Sequence, residues 1–231
     1  MSPVRAALFD LDGTLVDSEI HTDTAIRVVG ERHGVASFAL PHTETRGRTW
    51  EYIAGIMRAN ARLDVDAAAL AHELLVHWTG IAADVTPVPG APEAVREAAT
   101  RLDLAVVSSS PRAVIDSFLG KLGIADFVMP RARIGGDDVR ASKPDPDGFL
   151  KGAGALGVAP VDCLVFEDSR AGLEAARAAG MRSMFIMCCA ADIPGNTALA
   201  TAACADYRSL PPHFWHDVAD GRLDITGRVY A

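Results

Sequence analysis

Apolar runs alternate with amphipathic stretches over much of this chain, and the alternation has a regular form. Residues 4–9 form a short apolar run that stops at Asp10, as a buried parallel strand would. Three later runs share that shape. Residues 102–107 end in Ser108-Ser109-Ser110, residues 163–166 end in Glu167-Asp168, and residues 183–187 run into Cys188-Cys189. Helical periodicity fills the intervals at 91–100, 112–122, 147–156 and 169–179. Pro92 and Pro111 lie near first turns, Ser169 stands at an N-cap position, and Gly157 and Gly180 fall where C-terminal caps are expected. Strand and helix in alternation predict an α/β fold with a doubly wound parallel sheet and helices on both faces.

Between Asp17 and about Asp84 the pattern changes. Segments 22–33, 49–62 and 66–83 read as helices with no strand among them, and Thr86-Pro87-Val88-Pro89-Gly90 then punctuates the return to alternation. The simplest division is a core of residues 1–16 and 87–231 with a small helical cap of residues 17–86 inserted after the first strand. Past Leu210 only a turn at Pro211-Pro212 and a final short helix are expected.

The 231 residues are 49% hydrophobic, which suits a globular enzyme, and no apolar stretch is long enough to span a bilayer. The first apolar run is broken by Asp10 and Asp12, unlike a signal peptide, so a cytoplasmic protein is expected. A net charge of −8 argues against nucleic-acid binding. It leaves anionic ligands open, because a bound cation sets the local field. A monomer or weak homodimer is expected. The four cysteines form no C-x-x-C pair, and the adjacent Cys188-Cys189 suits neither a metal site nor a disulfide, so buried structural thiols are expected.

Ligands of parallel α/β sheets bind beyond the carboxyl ends of the strands. There this sequence places Asp10-Leu11-Asp12-Gly13-Thr14, Ser108 and Glu167-Asp168, with Lys143 in a Lys-Pro-Asp-Pro loop before a helix. Lys121, Lys143 and Lys151 are the only lysines, so one among acidic groups stands out. Convergent carboxylates need a neutralising cation, and hard oxygen donors suit Mg2+. Asp10 can act as nucleophile, and Asp12, two residues on and on the same side of an extended chain, can carry the proton. Ser108 and Lys143 can share the charge of the transferred phosphoryl group, and Asp168 completes the protein ligands of the metal.

Asp10-Leu11-Asp12-Gly13-Thr14-Leu15-Val16-Asp17-Ser18-Glu19 resembles the first motif of the haloacid dehalogenase superfamily. Val106-Val107-Ser108 resembles the second, Lys143-Pro144-Asp145-Pro146 the third, and residues 165–172, from Val165 through Glu167-Asp168 to Gly172, the fourth. A helical insert after the first motif is similar to the cap of the branch holding β-phosphoglucomutase, phosphoglycolate phosphatase and sugar-phosphate phosphatases. The resemblance implies a phosphomonoester hydrolase that takes a small phosphorylated metabolite as its partner and works through an aspartyl-phosphate at Asp10. It also implies a metal held by Asp10, Asp168 and the Asp12 backbone carbonyl, with Glu167 as a ligand or close behind. The mutase carries a cap arginine where this chain has Trp50 and a cap histidine where it has Thr22, and the insert has no lysine. A phosphatase is therefore expected over a mutase or an inactive phospholigand-binding relative. Arg46, Arg48 and Ser109 are the candidate substrate-binding residues.

Other signals are weaker. Gly152-Ala153-Gly154-Ala155-Leu156-Gly157 matches G-x-G-x-x-G but sits late in an expected helix with no strand before it. His213 and His216 are expected on an exposed terminal helix, and Asp137-Asp138 as a solvated pair. Trp50 and Trp78 are expected in the cap core.

Overall fold

The computed structural model describes residues 2–35 and 38–231, without the side chain of Glu19. The chain runs through β1 (Ala6–Phe9), β2 (Val16–Asp17), α1 (Glu19–Arg32), α2 (His42–Thr45), α3 (Trp50–Ala61), α4 (Ala67–Ile81) and β3 (Thr86–Pro87). It continues through α5 (Ala91–Ala98), β4 (Asp103–Val107), α6 (Arg112–Lys121), β5 (Arg133–Ile134), α7 (Asp147–Leu156), β6 (Cys163–Glu167) and α8 (Arg170–Ala178). The last elements are β7 (Arg182–Ile186), α9 (Ile193–Leu199), β8 (Ala202–Cys204), α10 (Phe214–Ala219) and β9 (Val229–Tyr230).

Seven strands form one sheet in the order β5-β4-β1-β6-β7-β8-β9, with every neighbouring pair parallel. β1 lies between β4 and β6, and its four residues are fully buried, which is why they read as an unbroken apolar run. All three central strands end at the same edge, so residues 10, 108 and 167–168 emerge side by side. Phe9 and Phe166 stack at 4.9 Å between ring centroids, and Tyr207 and Trp215 pack against both.

The helices expected in the insert are present, and a short α2 precedes α3. Ser169 caps α8 by accepting from the Gly172 N–H, as expected, and Gly157 ends α7 at φ 72°. Among the described residues no helix is long and apolar enough to cross a membrane. The insert leaves and rejoins the sheet through a two-stranded antiparallel ribbon in which Val16 faces Pro87 and Asp17 faces Thr86. The sequence gives no sign of this ribbon, because two-residue strands carry no periodicity.

Two expectations are corrected here. α10 is not an exposed helix, since it buries Phe214, Trp215 and Val218. Asp137 and Asp138 are not simply solvated: Asp137 accepts the Arg112 N–H at 2.9 Å at the start of α6, and Asp138 holds the Arg112 guanidinium at 3.0 Å.

Candidate active site

Asp10 follows β1 directly. Its backbone N–H donates to the Phe166 carbonyl at 3.0 Å, which prolongs the sheet pairing by one residue and fixes where the carboxylate starts. The residue is 3% exposed. Lys143 donates to Asp10 Oδ1 at 2.5 Å, to Glu167 Oε1 at 3.2 Å and to the Val107 carbonyl at 3.3 Å, so its three protons are all used. Its ammonium also lies 4.9 Å from the centroid of the Phe149 ring. Burial alone would pull the lysine down, but Asp10 and Glu167 outweigh it and hold the group charged.

Asp12 is half-buried and lies on a different hydrogen-bond network. Ser18 donates to Oδ1 at 2.7 Å, while Ser110 and Ser108 donate to Oδ2 at 2.8 and 3.2 Å. The Ser108 hydroxyl in turn accepts the Ser110 N–H at 2.9 Å. Desolvation and the nearby Asp10 charge push Asp12 above the ordinary carboxylate value, against the opposing pull of the three hydroxyls. Two carboxylates two residues apart thus face unlike surroundings, one ammonium-bound and one hydroxyl-bound.

Glu167 is fully buried. Its Oε1 accepts from Lys143 and from Ser169 at 2.8 Å, and its Oε2 accepts the Asp168 N–H at 3.1 Å. Burial and Asp10 raise it to about 7 even beside Lys143. Asp168 is 1% exposed, with Thr14 Oγ1 at 3.5 Å from Oδ1. One oxygen from each of Asp10, Glu167 and Asp168 lies within 4.8 Å of the others. Gly13, at φ 81°, leaves room here: a Cβ on it would stand 2.3 Å from Asp168 Oδ2. Three buried carboxylates with one ammonium among them, all offering oxygen, form a donor set that fits a hard divalent cation.

The cap closes over this edge. A cleft of about 380 Å3 separates Asp10, Asp12, Ser109 and Ser110 below from Thr22, Thr45, Arg48, Trp50, Ile53 and Trp78 above. Trp50 and Trp78 pack at 5.7 Å, so they serve the cap core and also wall the cleft. The loop after α2 is tied to the core. Arg48 donates to the Lys143 carbonyl at 2.5 Å, the Gly47 carbonyl accepts from Ser109 at 2.8 Å, and Arg46 donates to the Cys189 carbonyl. Gly47, at φ 70°, rests against Ser169, where a Cβ would lie 2.3 Å from Oγ.

Each sequence-predicted residue can therefore be placed. Asp10, Lys143, Glu167 and Asp168 form one cluster, and Asp12 with Ser108 forms its neighbour. Ser109 and Arg48 line the cleft, whereas Arg46 lines an adjacent depression with Asp168, Ser169 and Asn196. Sequence reasoning missed Ser18 and Ser110 as partners of Asp12 and Thr45 as a cleft residue, whereas Thr22 is marked in the sequence as standing at the place of the mutase's cap histidine. Ser110 had a signal in the run of three serines. Ser18 and Thr45 had none beyond their place near the first motif or in the insert. Cys188 corrects another expectation: it is exposed and Cys189 is half-buried, while Cys163 and Cys204 are buried. The literal G-x-G-x-x-G falls within and just after α7, where Gly152 only lets the helix approach Val107 and Leu8.

Comparison with known proteins agrees with this arrangement. The chain is 35% identical over 176 residues to the fructose-1-phosphate phosphatase YqaB of Escherichia coli K12, covering 75% of this chain and 92% of that protein. It is 35% identical over 184 residues to validoxylamine A 7'-phosphate phosphatase of Streptomyces hygroscopicus subsp. limoneus, covering 77% and 83% of the two chains. The crystal structure of β-phosphoglucomutase from Clostridium difficile has the same fold, with a TM-score of 0.79 at 20% identity over 94% of this chain and 98% of that one. The family model for haloacid dehalogenase-like hydrolases matches residues 4–180, and the chain belongs to that family of hydrolases.

Proposed function

We propose that this chain is a magnesium-dependent phosphatase that hydrolyses a small phosphomonoester, of sugar-phosphate type, through an aspartyl-phosphate on Asp10. The observation that carries this reading is the unlike pair Asp10 and Asp12. The first accepts a hydrogen bond from the Lys143 ammonium at 2.5 Å, and the second is raised by desolvation and by the first. A nucleophile must be ionised and a general acid protonated, and opposed environments divide the two roles.

Asp10 attacks phosphorus in line with the leaving oxygen, and Asp12 gives that oxygen its proton. Asp12, then ionised, takes a proton from the water that cleaves the acyl phosphate, and the three serine hydroxyls stabilise its charge in that interval. Lys143 balances the phosphoryl charge, and Ser108 is placed to turn its hydroxyl from Asp12 towards a phosphoryl oxygen. Asp10 and Asp168 would hold the magnesium ion, together with the Asp12 carbonyl that the family resemblance implies. Glu167 has both oxygens engaged, and so fixes Lys143 and Asp168 from behind. Bound there, the cation would offset the charge on the phosphoryl oxygens that otherwise repels Asp10. Residues 1–16 and 87–231 would act as the catalytic core and residues 17–86 as a cap hinged on the β2–β3 ribbon.

Two relatives named as a fructose-1-phosphate phosphatase and a validoxylamine A 7'-phosphate phosphatase support a hydroxyl-bearing substrate. So do Thr22 and Thr45 in the cleft. The cleft has Trp50 where the mutase resemblance calls for an arginine, which favours hydrolysis over transfer to a second position. The test is a panel of sugar phosphates, polyol phosphates, phosphoglycolate and nucleotides, with magnesium or with chelator, beside Asp10→Asn. Magnesium-dependent phosphate release that Asp10→Asn abolishes supports the reading. Conversion of β-glucose 1-phosphate to glucose 6-phosphate without free phosphate would replace it with a mutase, and no turnover of any substrate with a binding protein.

A further inference from the structure

Cys188 and Cys189 lie just past the carboxyl end of β7 and have no part in the proposed chemistry. The Ala190 N–H donates to the Met187 carbonyl at 3.2 Å, so the two cysteines are the central residues of a tight turn. Their sulfur atoms are 3.5 Å apart. Cys188 is exposed to solvent and Cys189 is half-buried behind it. The Cys189 carbonyl is also the acceptor for Arg46, a contact that ties the cap loop to the core alongside those of Arg48 and Ser109.

We propose that Cys188 and Cys189 form a reversible oxidation site for hydroperoxides, and that its disulfide form breaks the contact between Arg46 and the Cys189 carbonyl and loosens the cap loop. An exposed thiol with a second thiol in contact is the arrangement of a sensor cysteine with its resolving partner. The contact with Cys189 holds the Cys188 thiol below its ordinary value, which raises its share of thiolate. Cys163 and Cys204 are buried and do not compete.

The chemistry balances with the peroxide as the only added reactant. The Cys188 thiolate attacks one peroxide oxygen, the O–O bond breaks, and hydroxide leaves to be protonated to water. Cys188 is then a sulfenic acid. The Cys189 sulfur attacks the Cys188 sulfur, the S–OH bond breaks, and the departing hydroxide takes the Cys189 proton as a second water. Two thiols and one hydroperoxide (hydrogen peroxide in the simplest case) give one disulfide and two waters, a two-electron oxidation of sulfur.

The structural consequence follows from the ring that forms. Adjacent Cα atoms stand about 3.8 Å apart, below the usual disulfide span of roughly 4.4–6.8 Å, so the bridge is strained and readily reduced. The eight-membered ring contains the Cys189 Cα, which carries the carbonyl that Arg46 holds. Closing the ring turns both central residues of the turn and moves that acceptor. The cap loop then loses its contact to the Cys189 carbonyl.

The activity arm of the test rests on the phosphatase reading, and the mass and cleavage arms do not. The full chain is treated with a small excess of hydrogen peroxide beside Cys188→Ser and Cys189→Ser. The peptide carrying both cysteines should lose about 2 Da, the mass of two hydrogens, and regain it with dithiothreitol. Trypsin should cut after Arg46 and Arg48 roughly tenfold faster in the oxidised chain, because a loosened loop exposes its backbone more often. Phosphomonoester kcat/KM should fall about threefold or more and recover on reduction. Neither variant should show the mass loss or the faster cleavage. Over-oxidation to sulfinic acid, a bridge between chains, or an internal bridge that leaves cleavage at Arg46 unchanged would overturn the proposal. If the reduced chain hydrolyses nothing, the phosphatase reading fails, and the mass and cleavage results still decide the switch.

Discussion

Replacing Gly172 with alanine tests how tightly the site is built, because two physical expectations oppose each other. In an exposed helix interior the exchange stabilises by about 0.5–1 kcal/mol, since glycine loses more backbone freedom on folding. In α8, however, a Cβ at residue 172 would stand 1.4 Å from Glu167 Oε1, 2.1 Å from its carboxyl carbon and 2.4 Å from Cγ. Glu167 is fully buried and cannot swing aside without losing Lys143 and Ser169. Overpacking costs about 1–3 kcal/mol, and stranding a buried polar partner adds about 1–3 kcal/mol. Net of the helix gain, Gly172→Ala should lose roughly 2–4 kcal/mol, a drop in Tm of roughly 5–15 °C for a chain this long. Gly154 in α7 is the control: nothing lies within 4 Å of the place a Cβ would take there, so Gly154→Ala should raise Tm by roughly 2 °C. Calorimetry of the three proteins decides the matter. Equal stabilisation by both substitutions would show that Glu167 does not occupy the space beneath α8.

The remaining predictions concern charge and proton transfer. Asp12→Asn should lower kcat by about 10²–10⁴-fold on alkyl phosphates and much less on p-nitrophenyl phosphate, whose leaving group needs no proton. Equal losses on both substrates would remove Asp12 from the acid role. Because Asp12 is raised by desolvation and Asp10, it stays protonated to higher pH than a free carboxylate, and alkyl-phosphate turnover should fall as pH rises through that value while the nitrophenyl ester falls less. Metal-free protein should gain stability as pH drops from about 7 towards 4.5. The folded state binds a proton at Glu167 in that window and the unfolded state does not. A Tm that falls over the same interval in chelator would contradict it. Lys143→Met leaves Asp10 and Glu167 buried without their cation and should cost about 3–5 kcal/mol at neutral pH, measured by denaturant titration.

What the sequence made legible has a physical pattern. β1, β4, β6 and β7 are buried on both faces, so each reads as an apolar run, and β1, β4 and β6 end in polar residues that form the site. β5, β8 and β9 have two or three residues each, and β2 and β3 have two, which is too short for any period to show. Asp10, Glu167 and Asp168 could be expected together because parallel strands deliver their carboxyl ends to one edge, and Lys143 joined them through its loop before α7 and the motif it resembles. The serines around Asp12 could not, because a hydroxyl chooses its acceptor by the local turn of the backbone. Ser18 precedes α1 yet caps nothing there, giving its proton to Asp12 instead. Arg46 and Arg48 illustrate the same limit from the cap side. Their charges pointed to a substrate, and both guanidinium groups also reach core carbonyls, a use that sequence spacing does not reveal.

The central claim is that Asp10 becomes phosphorylated during turnover. Acid quenching during steady-state hydrolysis with magnesium, followed by peptide mass mapping, measures this directly. A phosphoryl group on the peptide containing Asp10, lost with chelator and absent from Asp10→Asn, is the predicted result. Sustained magnesium-dependent turnover with no phosphoryl group at Asp10, and with Asp10→Asn still active, would contradict it.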